Sequence, residues 1–453
     1  MESPPSRDLV EMTSFYSRSR GAAHAGAAPG KVYRPRTPDE VVAAVREAHS
    51  LAQPLVLRGG ASTGQTPVPP GGAVLSLASL ERIAALDEGA RTVTVEAGAR
   101  LESVDAYLLA RGFGLPIGSG DARTTAGGWA SMGGAGPASL RHGLFIDNVR
   151  ELEYVTWEGV LRRCGRAHEP RVFQRLLGGA GRYGVLVRLM LDILPGDKRE
   201  PRLLRTSVSA RGLEDFVRGT LARVQEPDDA RMALGVYAEG GTATRRWGWG
   251  RFSTYRDVPS RSLGLLTRAW TQGAWTGARR IAGWGSRGVG RVRAGLWLVG
   301  GLLHPRLASI HDVEQLPVGA CDGVGLLVPA EHYGELLLAV FPLLRRACAD
   351  QGDAVLRVTV LPVRSGMLGQ GDSSRRYCEL VFQSGAGLAS QVAERTAGVG
   401  AELDVACARY EARRFPEPTA PREPSPLHEV DLLSRDAQHP PAPAAPRGLR
   451  LVD

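Results

Sequence analysis

A regular alternation of apolar and polar positions first appears at Thr37, Pro38, Asp39 and Glu40, a capping box with Pro at the first helical position. Behind it, Val41, Val42, Val45, Ala48 and Ala52 predict an apolar helical stripe. Residues 54–57 read as a buried strand and residues 73–77 as a second. Residues 92–97 alternate as a strand does, and a helix is expected over 101–111, stopped by Gly112. A Gly-rich stretch fills 118–143. Beyond it the pattern predicts a strand over 149–156, a helix near 172–177 and a strand over 185–194. Short helices alternating with short strands indicate an α+β class.

The composition shifts after Pro195. Strand and helix patterns resume over about 200–240 and 319–410, including strands at 354–362 and 376–383 and a helix over 333–349. Residues 1–30 are polar and rich in Ser, Ala and Gly, and read as a flexible arm. From Phe415 the chain turns Pro-rich, as an extended or disordered tail would. The expected division is an arm over 1–30, a first domain over 31–198, a second over 199–412 and a tail over 413–453.

With 453 residues the chain can hold two or three domains with proper cores. Its 43% hydrophobic and 23% charged content suits a soluble globular protein. The formal charge of +9 favours anionic ligands or surfaces. The Arg residues are spread out and form no nucleic-acid module, so no nucleic-acid partner is expected. Cys164, Cys321, Cys348, Cys378 and Cys407 are widely spaced, which suggests neither a metal site nor a disulfide framework. The first residues lack the apolar core of a secretory signal, and no long apolar run predicts a membrane span. The expected location is the reducing cytoplasm.

One segment qualifies that expectation. No Asp or Glu occurs between Asp257 and Asp312, while eight Arg and four Trp (Trp270, Trp275, Trp284, Trp297) do. This Trp-rich insertion at about 258–311 is either a cap insertion with solvated Arg and core Trp, or a peripheral membrane contact or lid over a greasy substrate.

Three glycine clusters carry the candidate chemistry. The first is Arg58, Gly59, Gly60, Ala61, Ser62, Thr63, Gly64 and Gln65, between two predicted strands. Glycines let successive backbone N–H groups converge on an anion such as pyrophosphate. The second runs from Thr124 and Thr125 through Gly127, Gly128, Ser131, Gly133 and Gly136, and continues to Ser139, His142, Asn148 and Val149. The third is Gly178, Gly179 and Gly181, ending at Gly184 and Val185. Gly179, Gly181 and Gly184 match the dinucleotide spacing literally, but a predicted helix precedes them and a strand follows, so they are no Rossmann site. No Walker lysine follows any cluster. Several nests in one domain suit an extended, doubly charged ligand, the shape of flavin adenine dinucleotide.

Residues about 33–195 resemble the FAD-binding domain of the vanillyl-alcohol oxidase and p-cresol methylhydroxylase (PCMH) superfamily, with a pattern similar to cytokinin dehydrogenases. The Arg58–Gln65 loop with Pro70, Gly71 and Gly72 resembles its pyrophosphate loop. Thr92 to Gly98 resembles its next strand, Thr124 to Val149 its second FAD-contacting stretch, and Leu177 to Val185 the motif entering the last strand. The resemblance implies a PCMH-type two-lobed FAD-binding domain followed by a cap domain with an antiparallel sheet and helices. It implies FAD as cofactor, with Arg58 to Gln65, Thr124, Thr125, Gly127, Gly128, Ser131, Gly133, Gly136, Ser139, Asn148, Val149, Gly184 and Val185 as candidate contacts. The family's usual C-terminal return to the FAD domain has no clear match here, which leaves the substrate class open.

Many relatives tether flavin to a His in the first loop, some also to a Cys in the second. Here Ala61 follows Gly60, no His lies between His49 and His142, and the first Cys is Cys164. Non-covalent FAD is therefore expected. Hydride transfer from an alcohol or amine needs a base. Asp121, just before Thr124, lies roughly where cytokinin dehydrogenases carry a catalytic Asp; a turn Asp is the competing reading. His142 could serve, or be structural in its turn. Tyr183 could face adenine or core, and His332, Tyr333, Tyr377 and Cys378 are further pocket candidates. The expected function is an FAD-dependent oxidoreductase acting on a C–OH or C–N bond of a small hydrophobic organic substrate, with O2 or another oxidant as electron acceptor. The alternatives are a redox-neutral FAD-binding protein, either a cyclase or a binding module, and a pseudoenzyme without FAD.

Overall fold

A computed structural model describes residues 30–60, 68, 70–196, 198, 201–225, 230–241, 246–258, 307–314, 323–348, 355–366, 376–384 and 399–414. The arm over 1–29, Ala61 to Gln65, most of the Trp-rich insertion and the tail from 415 lie outside the described residues.

Strands β1 (Lys31–Tyr33), β2 (Leu55–Arg58) and β3 (Ala73–Ser76) form a parallel sheet in the order β1-β3-β2. Helix α1 (Pro38–Ser50) joins β1 to β2. Thr37 caps it, accepting a hydrogen bond from the Glu40 N–H. Its buried stripe is Val41, Ala44, Val45 and Ala48. Ala44 takes the place expected for Val42, and Ala52 lies past the helix end with φ of 49°.

The next sheet contains β4 (Ile83–Asp87), β5 (Thr92–Glu96), β7 (Val149–Val155), β8 (Leu161–Gly165) and β9 (Val185–Asp192) in the antiparallel order β4-β5-β9-β7-β8. Helices α2 (Leu101–Leu109), α3 (Ala126–Ser131), α4 (Ser139–His142) and α5 (Pro170–Leu176) lie between its strands in sequence. Val93, Val95, Val104, Leu108, Phe173 and Leu189 form the centre of its core. The two-residue strands β6 (Phe113–Gly114) and β10 (Leu194–Pro195) pair with each other.

The remaining described strands make one eight-stranded sheet: β11 (Pro201–Ala210), β12 (Met232–Gly241), β13 (Arg246–Asp257), β14 (Leu307–Ser309), β15 (Gly323–Pro329), β16 (Leu356–Arg364), β17 (Arg376–Ser384) and β18 (Arg413–Arg414). Their order is β14-β11-β13-β12-β16-β17-β15-β18. Alternate residues of a strand face opposite sides. Tyr237, Val358, Val360, Leu380 and Phe382 face a core shared with helices α6 (Leu213–Gln225), α8 (Tyr333–Cys348) and α9 (Val399–Arg409). Helix α7 (Ile310–Glu314) follows β14. The other side of the sheet meets the N-terminal half: Leu327, Val363 and Tyr377 join the core of the five-stranded sheet.

Candidate functional site

The three glycine clusters, distant in sequence, meet along one seam. Gly59 and Gly60 follow β2 and lie against the turn before α3. A Cβ on Gly60 would overlap the Arg123 carbonyl, and one on Gly59 would lie 2.5 Å from Thr125 Oγ1. Only glycine permits this approach. The second cluster is laced to the end of β5: Ala126 N–H donates to Ala99 O at 2.9 Å, and Gly127 N–H to Ala97 O at 2.8 Å. Thr124 O accepts from Leu101 N–H, and Thr125 Oγ1 caps α3 through the Gly128 N–H at 3.3 Å. The third cluster bonds to the end of α3, with Gly178 N–H to Ala130 O and Ala180 N–H to Ser131 O, both 2.8 Å. A Cβ on Gly181 would sit 2.9 Å from Leu57 Cδ1, which returns the seam to β2.

The other predicted residues hold the surrounding turns. Gly133 O accepts from Ile146 N–H, and the buried Ser139 hydroxyl accepts from Gly136 N–H at 3.0 Å. Asn148 Nδ2 donates to the carbonyls of His142 and Leu144 at 2.9 and 2.8 Å. Val149 and Val185 open β7 and β9 with fully buried side chains, and Gly184 precedes the latter. Arg58 ends β2.

Asp121 closes a turn. Its carboxylate accepts from Arg123 N–H at 2.9 Å and pairs with Arg123 Nη2 at 3.0 Å. His142 ends α4 in a cleft lined by Pro116, Lys198, Arg231, Met232 and Ile310. Burial, then Arg231, Arg141 and Lys198, push its imidazole down to about 4, so it is neutral at neutral pH. Behind the cleft Lys198 Nζ lies 2.9 Å from Glu314 Oε2 and 3.4 Å from Asp105 Oδ1. Burial opposes the charge on Lys198, but Glu314 and Asp105 hold its pKa above the ordinary value. This buried cluster joins α2 to α7.

Residues 29–165 match the family model described as an FAD binding domain. Residues 29–165 carry an FAD-binding domain. The chain is 32% identical over 184 residues to cytokinin dehydrogenase 6 of Oryza sativa subsp. japonica, covering 38% of this chain and 35% of the relative. It is 34% identical over 187 residues to an uncharacterized oxidoreductase in the fasciation locus of Rhodococcoides fascians, covering 41% and 42%. It is 30% identical over 161 residues to decaprenylphosphoryl-beta-D-ribose oxidase of Mycolicibacterium smegmatis, covering 35% of each. The matched stretch thus spans about a third of the curated cytokinin dehydrogenases it resembles.

The FAD-binding domain fits its cofactor. The seam is backbone where side chains would intrude, and its carboxylate, Asp121, is offset by Arg123. Cys164 is buried on β8 opposite Leu152, and burial, then Glu169 and Glu151, push its thiol up to about 12. Tyr183 packs against the core of the five-stranded sheet, with the Arg182 guanidinium 5.6 Å from its ring centroid.

Among the further pocket candidates, strand parity and helix facing decide. Tyr333 and Cys378 are wholly buried in the core on the helix side, away from the FAD-binding domain, and Tyr333 shares a 2.9 Å hydrogen bond with Thr220. His332 lies near Tyr410, with ring centroids 6.3 Å apart. Tyr377 does face the FAD-binding domain. The sequence reading missed Lys198, Glu314 and Glu379, all buried. For Glu379 the signal was present, as a carboxylate inside the apolar strand 376–383.

Proposed function

We propose that the chain is an FAD-dependent oxidoreductase that takes hydride from a C–OH or C–N bond of a hydrophobic organic molecule. The observation that carries this reading is the convergence of three glycine clusters on one seam, with one face of the eight-stranded sheet packed beside it. The division into an FAD-binding domain over 31–198 and a cap over 199–412 belongs to the same reading. So does the assignment of Arg58 to Gln65, Thr124, Thr125, Gly127, Gly128, Ser131, Gly133, Gly136, Ser139, Asn148, Val149, Gly184 and Val185 as the cofactor's contacts.

Bound FAD supplies the hydride acceptor. The chain's own residues shape the seam, exclude side chains from it and close it with the sheet. The similar relatives are named as dehydrogenases and oxidases, which supports redox chemistry rather than a redox-neutral role. The absence of His from residues 50–141 and the burial of Cys164 support a dissociable flavin. Denaturation and filtration should release all the yellow colour. Flavin retained on the denatured chain contradicts that part of the reading.

The activity test is anaerobic addition of a panel of alcohols, amines and hydroxy acids to the purified holoprotein. Bleaching of the flavin band by one class is expected. Turnover of a compound with the band unchanged throughout would favour the redox-neutral reading instead.

A further inference from the structure

We propose that Glu379 on β17 is the catalytic base of this site, taking the proton of the substrate's O–H or N–H group as hydride leaves the adjacent carbon. The proposal rests on the oxidoreductase reading above.

The register of the sheet sets where Glu379 points. Leu361 of β16 and Leu327 of β15 pair directly with it. Directly paired residues of antiparallel strands share a face. Leu361 belongs to an apolar cluster with Ile117 and Ala138, and Leu327 to one with Ala126 and Ala130. Trp129 and Ala135 pack against both clusters. Both neighbours of Glu379 therefore join clusters that include residues of the second glycine stretch, and the carboxyl between them faces the same way.

Nothing in the described chain satisfies that carboxyl. Glu379 is 8% exposed, and its side chain has no hydrogen-bond or ion-pair partner among the described residues. Burial alone pushes it up to about 7. A buried orphan lies on the same face. Thr359, two residues along β16 from Leu361, is fully buried with no partner for its hydroxyl among the described residues. Its paired neighbours are Val381 and Val236. Buried polar groups are nearly always hydrogen-bonded, so the orphaned Thr359 hydroxyl, on the same face as the unpaired Glu379 carboxyl, points to a ligand that completes it.

The titratable groups around this face are not what shifts Glu379. Tyr377 shares its strand and face, and Arg357 of β16 is engaged with Gln383. Arg141 and His142 sit on α4, which packs on β16 and β12, and Lys198 is held by Glu314. None of them contributes to the shift of Glu379. A base near 7 is suited to accepting a proton at neutral pH and releasing it again.

In the proposed step the substrate's X–H bond, X being oxygen or nitrogen, breaks as a Glu379 Oε–H bond forms. Bound FAD would supply the two-electron acceptor for the C–H electron pair and its hydrogen, as a C=O or C=N bond forms. The two electrons the substrate loses would pass to the cofactor, and Glu379 would then return its proton to water.

The test uses the full-length holoprotein and Glu379→Gln. Its flavin absorbance first establishes that the cofactor still binds. With a compound that bleaches the wild type, anaerobic stopped flow should show bleaching slowed by about 100-fold or more. The independent readout is thermal stability against pH. A carboxyl raised from 4.5 to about 7 on folding makes the wild type lose stability as pH rises through that window. The Gln variant lacks that loss, so its Tm should match the wild type near pH 4.5 and exceed it at pH 8. Bleaching at the wild-type rate with FAD bound overturns the base, and so does a Tm difference that is flat across pH. A wild type bleached by no compound overturns the oxidoreductase reading and the base with it, even where the Tm profile confirms the buried, unpaired carboxyl.

Discussion

Gly60 shows how far a single residue can be read from sequence. The Gly-rich loop suggested close backbone approach, but not to what. The structure supplies the partner, the Arg123 carbonyl more than sixty positions along the chain. His142 was legible as a residue near the flavin stretch, but its electrostatics were not, because Arg231 and Lys198 reach it only through the fold. Those neighbours give a testable pH dependence. A histidine lowered from 6.5 to about 4 stays neutral in the fold while the unfolded chain takes up a proton. Its contribution is present above pH 6.5 and is lost as pH falls toward 4. Compared with the wild type, His142→Gln should lose less Tm between pH 6.5 and 4. Parallel melting curves for the two proteins across that range contradict the assignment.

At the scale of elements, strong local signals carried over and face assignments did not. The helix over 38–50 announced itself through Thr37 and Pro38, and strands 149–155, 185–192 and 376–384 through their apolar runs. Strand 83–87 escaped notice; it is short, and its residues are mostly half-buried. Which residues of 376–384 look toward the FAD-binding domain depends on one parity choice, fixed only by pairing with β15 and β16. Cys378 therefore falls on the helix side although it neighbours Tyr377. Leu380 shares the parity of Cys378. Leu380→Ala should cost about 2–5 kcal/mol of stability through the cavity it leaves, while FAD affinity in the folded protein stays within about twofold. A large loss of affinity at unchanged stability, measured by denaturation and flavin titration, would place Leu380 on the wrong face.

Across the whole molecule, the glycine clusters were readable as candidate parts of one site because each carries its own signature, and the structure brings them to one seam. What joins the two halves was not, since it consists of single residues far apart in sequence. Lys198, Glu314 and Asp105 are the clearest case. Lys198→Met leaves Glu314 buried without its cation, and removing one partner of a buried pair costs about 3–5 kcal/mol. Chemical denaturation should show that loss, and a variant as stable as the wild type would mean the cluster is solvated.

The central claim is that three glycine clusters build one FAD site by backbone shape. Titration of apoprotein with FAD, followed by flavin fluorescence, tests it most directly when wild type and Gly60→Asp are compared. The wild type should bind stoichiometrically, and the variant, whose side chain meets the Arg123 carbonyl, should stay empty while a native-like circular dichroism spectrum shows it folded. Full FAD occupancy in a folded Gly60→Asp protein would contradict the account.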